Sequence, residues 1–304
     1  MKLSNFYTHS SSDLHLGALI TGRVVDLTEA FPGDRSFGSV SALLRAGKDS
    51  IRRAQQRIAE HSSGTGARIT PDQIGYAPLV DDRCRIFCVG LNYADHAAEN
   101  NLPPPESPIF FAKLAAVAAG HNQPIPLPAI SQQVDYEAEF AFVVGSPAKR
   151  VSVEEAGKYI AGFTIMNDVS ARDLQFQDKQ WFRGKNCDGF APIGPWLTTA
   201  DEISIPDNLA ITLRLNGQVR QSSNTKQLVF KPAQLLSFLS QTLTLEPGDV
   251  ISTGTPGGIG YYANPKVFLK HGDVVEVEVE GLGVLRNTVT SEEAINHSSD
   301  KGRR

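Results

Sequence analysis

The segment Val134-Asp-Tyr-Glu-Ala-Glu-Phe-Ala-Phe-Val-Val144 limits what this chain can fold into more than any other. It is rich in β-branched and aromatic residues and free of Gly and Pro, so it reads as a strand. From Phe140 onward it has no polar residue, which predicts a strand covered on both faces inside a sheet-rich core. Side chains of a strand alternate, so Glu137 and Glu139 share a face with Cα atoms about 7 Å apart. Two acids side by side among apolar residues repel each other and resist desolvation unless a cation lies between them. A third acid, Asp168, ends the next apolar run, Gly162-Phe-Thr-Ile-Met-Asn-Asp168. That is the pattern of a hard divalent-metal site.

Spacing alone does not establish it. Val275-Glu-Val-Glu-Val-Glu280 has the same alternation, and there it reads as an ordinary strand with a buried Val face and a solvated Glu face. What separates the two runs is the apolar continuation after Glu139 and the company of Asp168.

With 304 residues, 41% of them hydrophobic, the chain can bury a large core. The net charge is −4 and the basic cluster Lys301-Gly-Arg-Arg304 is small, which argues against nucleic acid or an anionic membrane as partner and leaves small molecules or proteins. Neither a signal-peptide core nor an apolar run of membrane length is read, so the expected location is cytoplasmic. Cys84, Cys88 and Cys187 are too few for a disulfide framework and wrongly spaced for zinc, so they are expected to be free thiols.

Two textures divide the chain. Residues 1–75 are polar and weakly patterned, with a strand pair around 14–20 and 23–27 and a helix near 40–60, followed by a Ser- and Gly-rich loop over 62–67. They read as a small N-terminal α+β domain. Over 76–290 short apolar runs recur between Gly and Pro, with few helices, at 93–100, 153–159, 171–179 and 232–241. This predicts a mixed, β-rich domain with inserted short helices and without regular strand-helix alternation. Residues 291–304, rich in Ser and charge, read as a disordered tail.

Three further motifs carry chemistry. In Gly90-Leu-Asn-Tyr-Ala-Asp-His-Ala-Ala-Glu99, Asn92 reads as a helix N-cap, and His96 and Glu99 lie three apart on one helical face. A carboxylate beside a histidine orients the ring and raises its basicity, as a base for water requires; a surface ion pair has the same spacing. Lys185 follows Gly184 at the start of a Gly- and Pro-punctuated run and is placed to meet an oxyanion, or is a plain surface lysine. Ser252-Thr-Gly-Thr-Pro-Gly-Gly-Ile-Gly260 is a Gly-rich turn whose amides and Thr255 hydroxyl suit a carboxylate; its spacing matches neither a dinucleotide loop nor a P-loop.

Taken in order, Gly90-Leu-Asn-Tyr-x-x-His96-x-x-Glu99, Asp135-Tyr-Glu137-x-Glu139, Asn167-Asp168-x-x-x-Arg172-x-x-Gln175, Gly184-Lys185-x-x-Asp188-Gly and Thr253-Gly-Thr255-Pro-x-Gly resemble the fumarylacetoacetate hydrolase family over about 84–289. The resemblance implies a β-roll or sandwich catalytic domain, a homodimer, and one Mg²⁺ or Mn²⁺ held by Glu137, Glu139 and Asp168. It implies a water-activating dyad of His96 and Glu99 on a lid helix, and Lys185 as oxyanion partner. Arg172, Gln175 and Thr255 become groups that touch substrate or steady those that do, and Lys113 a residue near the site mouth.

The reaction the resemblance implies first is hydrolysis of a C–C bond in a 1,3-diketo acid of acylpyruvate type, through an enolate held at the metal. A decarboxylase or tautomerase of oxaloacetate, or a 2-hydroxydienoate isomerase, would use the same enolate without water attack. A catalytically silent small-molecule binding protein is the alternative of another class. Asn186, Asn101 and Leu114 stand where the family commonly has Ser, Gly and Pro, around the pocket and lid, so they bear on substrate identity and leave the ligand set intact.

Overall fold

A computed structural model describes residues 1–9, 11–62, 69–99 and 103–291. The loop expected over 62–67, the lid-helix end at Asn100 and Asn101, and the tail beyond Ser291 lie wholly or mostly outside the described residues.

Among the described residues the strands form two large sheets and one two-stranded pair, Val134–Asp135 with Ser170–Ala171. The larger runs in the order Arg23–Asp26, His15–Ile20, Lys2–Thr8, Ala191–Thr199, Ile160–Asn167, Ala138–Val144, Val250–Ser252, Ile86–Gly90, Ile109–Lys113. The smaller runs Gln218–Asn224, Ala210–Leu215, Val274–Val279, Gly283–Ser291, Ile125–Leu127. Ala138–Val144 is buried along its whole length, and its alternation explains why. Phe140, Phe142 and Val144 pack in a core with Ile211, Leu213, Val275 and Val277 of the second sheet, while Ala141 and Val143 pack in another with Leu43, Leu44 and Leu197. A strand with apolar layers on both sides cannot afford polar residues except where they meet each other.

The N-terminal segment joins this sheet. Lys2–Thr8 pairs antiparallel with Ala191–Thr199 and with Ile74–Ala77, so hydrogen-bonded strands stand on both sides of the boundary expected near residue 75. The helix expected over 40–60 is two, Val40–Ala46 and Lys48–Ser62, separated at Gly47. The expected helices near 93, 171 and 232 are Ala94–Glu99, Arg172–Gln177 and Pro232–Thr242; the one near 153 is the single turn Val153–Ala156 continued by a 3₁₀ turn. Lys2–Thr8 and Gln218–Asn224 lie outside the strands read from the sequence, because buried polar residues (Ser4 and Asn5 in the first, Gln221 in the second) interrupt the apolar alternation.

Four adjacent strands of the larger sheet end together: Ile160–Asn167 and Ala138–Val144 antiparallel, then Val250–Ser252 and Ile86–Gly90 parallel. The loops that leave these ends hold the residues singled out above.

Candidate metal centre and active site

Glu139 lies in the strand Ala138–Val144, but Glu137 precedes it, in an irregular step between Val134–Asp135 and Ala138. The ladder keeps one register across that step: Ala138 pairs with Asn167, Asp135 with Ser170, and the Asp168 amide donates to the Glu137 carbonyl at 2.9 Å. Glu137 is therefore opposite Asp168 on the neighbouring strand, with Glu139 two residues on. Carboxylate oxygens of the three lie within 4.8 Å of one another, and all three residues are buried.

Three cations surround them. Lys185 Nζ donates to Glu137 Oε2 at 2.9 Å and to Asp168 Oδ2 at 2.7 Å. Lys113 Nζ donates to Asp168 Oδ1 at 2.5 Å and to the Val169 carbonyl at 2.9 Å. Arg172 spreads its guanidinium over Asp135 at 2.9 Å, Glu137 at 2.6 Å and Gln175 Oε1 at 3.0 Å. Lys113 is thus not at the site mouth, as expected, but wholly buried beneath Asp168. Lys185 is 2% exposed, which removes the surface-lysine reading. It is seated by the turn Phe182–Lys185, where a Cβ on Gly184 would meet the Ala171 carbonyl at 2.8 Å and the Gln175 backbone at 2.7 Å.

Glu139 differs from its neighbours. Its Oε2 accepts from Ser252 Oγ and from the Gly254 amide at 3.0 Å, and among the described residues no cationic side chain lies within ion-pair distance of it. The Gly254 amide is aimed there by a positive φ of 96°, and a Cβ at that position would approach the Val89 carbonyl at 2.9 Å. Four acids (Asp135, Glu137, Glu139, Asp168) face three cations (Lys113, Lys185, Arg172), leaving one negative charge in excess. The protonation preferences follow. Burial, then repulsion from Asp168 and Glu137, pushes the Glu139 carboxyl well above the usual carboxylate range. Burial works the same way on Glu137, but Lys185 and Arg172 outweigh it and hold that group well below its usual value. Burial disfavours the Lys185 ammonium, and Asp168 and Glu137 more than restore it.

This donor set fits a hard divalent ion. It is all oxygen, three carboxylates converge, and one of them is a buried acid with no ion-paired cation among the described residues. Softer ions would call for thiolate or imidazole ligands.

The pocket in front of the acids has a volume of about 180 Å³, and its lining includes Glu137, Glu139, Arg172, Gln175, Lys185, His96 and Thr255. Phe111, Phe176, Trp181 and Tyr262 supply aromatic walls that the sequence did not single out. His96 Nδ1 is 3.3 Å from Glu99 Oε2. The helix Ala94–Glu99 that carries them is tied down twice, by Ser223 Oγ donating to Asp95 at 2.5 Å and by the Gly258 amide donating to Glu99 at 3.1 Å. Asn92, expected as the cap of this helix, spends its side chain on the Phe230 backbone and the Thr253 carbonyl instead. Arginine only donates, so its bond to Gln175 Oε1 turns the Gln175 NH₂ away as a donor. Asp135, quoted in the motif but given no role, accepts from the Gly260 and Tyr261 amides at 2.8 and 3.0 Å and so links the Gly-rich loop to Arg172.

A cavity of about 640 Å³ lies elsewhere, between Leu127–Val134 and Lys266–His271, and is lined by none of these acids. Chemistry rather than volume singles out the smaller pocket. The three thiols are free, as expected, and no helix among the described residues is long and apolar enough to cross a membrane.

Residues 85–290 match the family model of the fumarylacetoacetate hydrolase C-terminal domain. A rat protein named oxaloacetate tautomerase Fahd2a, mitochondrial, is 41% identical over 292 residues, 95% of this chain and 91% of that one. Among solved structures, a fumarylacetoacetate hydrolase from psychrophilic Exiguobacterium antarcticum superposes with a TM-score of 0.83 at 32% identity, over 96% of this chain and all of the other. A maleylpyruvate hydrolase from Sphingobium sp. SYK-6, solved with manganese(II) and pyruvate, superposes with a TM-score of 0.77 at 26% identity, covering 96% and 99%.

Proposed function

The chain belongs to the fumarylacetoacetate hydrolase family, and on that footing we propose that it is a divalent-metal-dependent keto-enol tautomerase of a small 2-oxo diacid of the oxaloacetate class. The observation that carries this reading is likeness over nearly the whole length to a protein named for that reaction. The pocket agrees in size: about 180 Å³ is below the roughly 300–1,000 Å³ of sites for drug-sized ligands. This reading takes the tautomerase alternative in preference to C–C hydrolysis.

Glu137, Glu139 and Asp168 would hold one Mg²⁺ or Mn²⁺, which supplies Lewis-acid stabilisation of negative charge on the 2-oxo acid. His96, oriented by Glu99, takes a proton from C3 of the keto acid through Nε2. The electron pair moves to the C2 oxygen, where the Lys185 ammonium balances the charge, and return of the proton from His96 to that oxygen completes the enol and restores the neutral base. Gln175 and Thr255 donate to substrate oxygens, and the aromatic walls exclude water. A homodimer in a reducing compartment remains part of the reading; three free thiols suit such a compartment.

A second reading is favoured by one observation. The His96–Glu99 pair is also what activation of water needs, so hydrolysis of an acylpyruvate is carried as the competitor. The two are separated by following the enol absorbance of oxaloacetate and pyruvate release from acylpyruvates, with Mg²⁺ and with EDTA. We expect Mg²⁺-dependent equilibration of the tautomers, abolished by EDTA, and a kcat lowered about 10²–10⁴-fold in His96→Ala with Mn²⁺ affinity retained. Acylpyruvate cleavage without effect on the tautomers would replace this reading with the hydrolase; indifference to EDTA would remove the metal from both.

A further inference from the structure

Gln221 lies in Gln218–Asn224, an edge strand of the smaller sheet, far in sequence from every motif that marks the site, yet it is only 1% exposed. Its side chain is fully employed. Oε1 accepts from the Ala138 amide at 2.9 Å; Nε2 donates to Thr255 Oγ1 at 2.8 Å and to the Pro256 carbonyl at 2.8 Å. The amide cannot flip without loss, because a backbone N–H requires the oxygen on one side and a backbone carbonyl requires the NH₂ on the other. Ala138 is the residue between Glu137 and Glu139. Gln221 therefore bridges the peptide that carries two metal-ligand candidates to the loop that carries Thr255.

We propose that Gln221 is a positioning residue that fixes the Thr255 hydroxyl as a hydrogen-bond donor to the substrate. Because Thr255 Oγ1 receives a hydrogen from Gln221, its own hydrogen must point elsewhere, and Thr255 lines the pocket. A 2-oxo acid offers acceptors on every oxygen, so a hydroxyl held in the donor sense is what the ligand needs. An acceptor placed at Gln221 Nε2 would draw the Thr255 hydrogen inward and leave only a lone pair facing a carboxylate. This inference rests on the reading that a 2-oxo acid enters this pocket.

The test is a double-mutant cycle on the full chain, using Gln221→Glu, which keeps the acceptor for Ala138 and removes both donors, with Thr255→Val and the double variant. The probe is oxalate binding to the Mg²⁺-loaded protein by calorimetry, accompanied by KM and kcat for oxaloacetate and by thermal denaturation. We expect Q221E and T255V each to weaken oxalate about tenfold, the scale of one hydrogen bond to a charged acceptor, and to raise KM alike with kcat within about threefold. The double variant should bind no more weakly than T255V. Wild-type affinity in Q221E, or losses that add in the double variant, would overturn the proposal. If Q221E does not fold, Gln221→Met completes the same cycle with T255V. A wild type that cleaves acylpyruvates and leaves oxaloacetate alone would defeat the tautomerase reading while the oxalate cycle still decides Gln221. A wild type that binds no oxalate would defeat both.

Discussion

Two segments of this chain carry glutamate at every second position and meet opposite fates. Side-chain exposure is 9% for Glu137 but 32% for Glu276 and 47% for Glu278. The strand Val274–Val279 has one core behind it and water in front, so Val275, Val277 and Val279 are buried and its Glu residues reach solvent. Ala138–Val144 has a core on each side, so an acid at its entrance has only other polar groups to meet. Alternation is a local property, whereas the charge environment depends on which layers the fold stacks on the strand. The same spacing therefore gives a wet face in one place and a cation-binding pocket in the other.

The comparison would break first at Glu139. Glu139→Gln removes the carboxylate that has no ion-paired cation among the described residues while keeping an acceptor for Ser252 and Gly254. We expect Mn²⁺ affinity to fall at least about 100-fold and metal-dependent turnover about 10³-fold, since a Lewis acid contributes several kcal/mol. The metal-free protein should unfold within a few degrees of wild type, because a buried acid that repels its neighbours has been made neutral. Calorimetric titration with Mn²⁺ and thermal denaturation measure both arms. Retained Mn²⁺ binding would show that the buried pair is no more a ligand set than the wet one.

Much of this contrast was legible in the residues. The uninterrupted run from Phe140 to Val144 announced burial on both faces, and the Val275–Glu280 alternation announced a wet face; the structure has both. The strand break at Tyr136 and Glu137 was not legible, because it is set by the partner strand's turn at Asp168 and Val169 rather than by any breaker in the segment itself. Lys113 was misplaced for a similar reason. The resemblance put it near the site mouth, and only the pairing of the edge strand Ile109–Lys113 with Ile86–Gly90 sets it beneath Asp168. Gln221 and Ser223 gave no signal at all. They reach the site from the second sheet, and a single polar residue on an edge strand carries no spacing that distinguishes a clamp from a solvated side chain.

A smaller effect sharpens the contrast through pH. Glu139 has a raised folded pKa, so its contribution to the stability of the metal-free protein is fully present below the unfolded carboxylate value, about 4.3, and is lost as pH rises through the folded one. Glu137 has the opposite sign, its contribution being present above the unfolded value and lost as pH falls. A metal must displace the Glu139 proton to bind, so its affinity rises with pH over the window in which that proton is held. The increment in Tm from saturating Mg²⁺ should therefore grow from pH 5 upward, by at most about 1.4 kcal/mol per pH unit for one proton. Calorimetric scans with and without Mg²⁺ measure it. A constant increment, or the same slope in Glu139→Gln, would separate the titration from this residue.

The smallest effect belongs to the wet strand, and there the expected result is near silence. Arg214 lies 2.7 Å from Glu278 with side chains 34% and 47% exposed, and Arg286 lies 3.8 Å from Glu276 with 43% and 32%. Pairs so open to solvent contribute roughly 0–1 kcal/mol and are screened by salt. Glu278→Gln and Glu276→Gln should each shift stability by less than about 1 kcal/mol in denaturant titration, with the difference shrinking further in 1 M salt. Neither should alter Mn²⁺ affinity or turnover. The converse carries the weight: a loss above about 2 kcal/mol, insensitive to salt, would mean that these glutamates are desolvated in the working protein. A covered Glu276 or Glu278 would require something to lie over the second sheet, and the two alternations would then differ in what covers them rather than in whether they are covered.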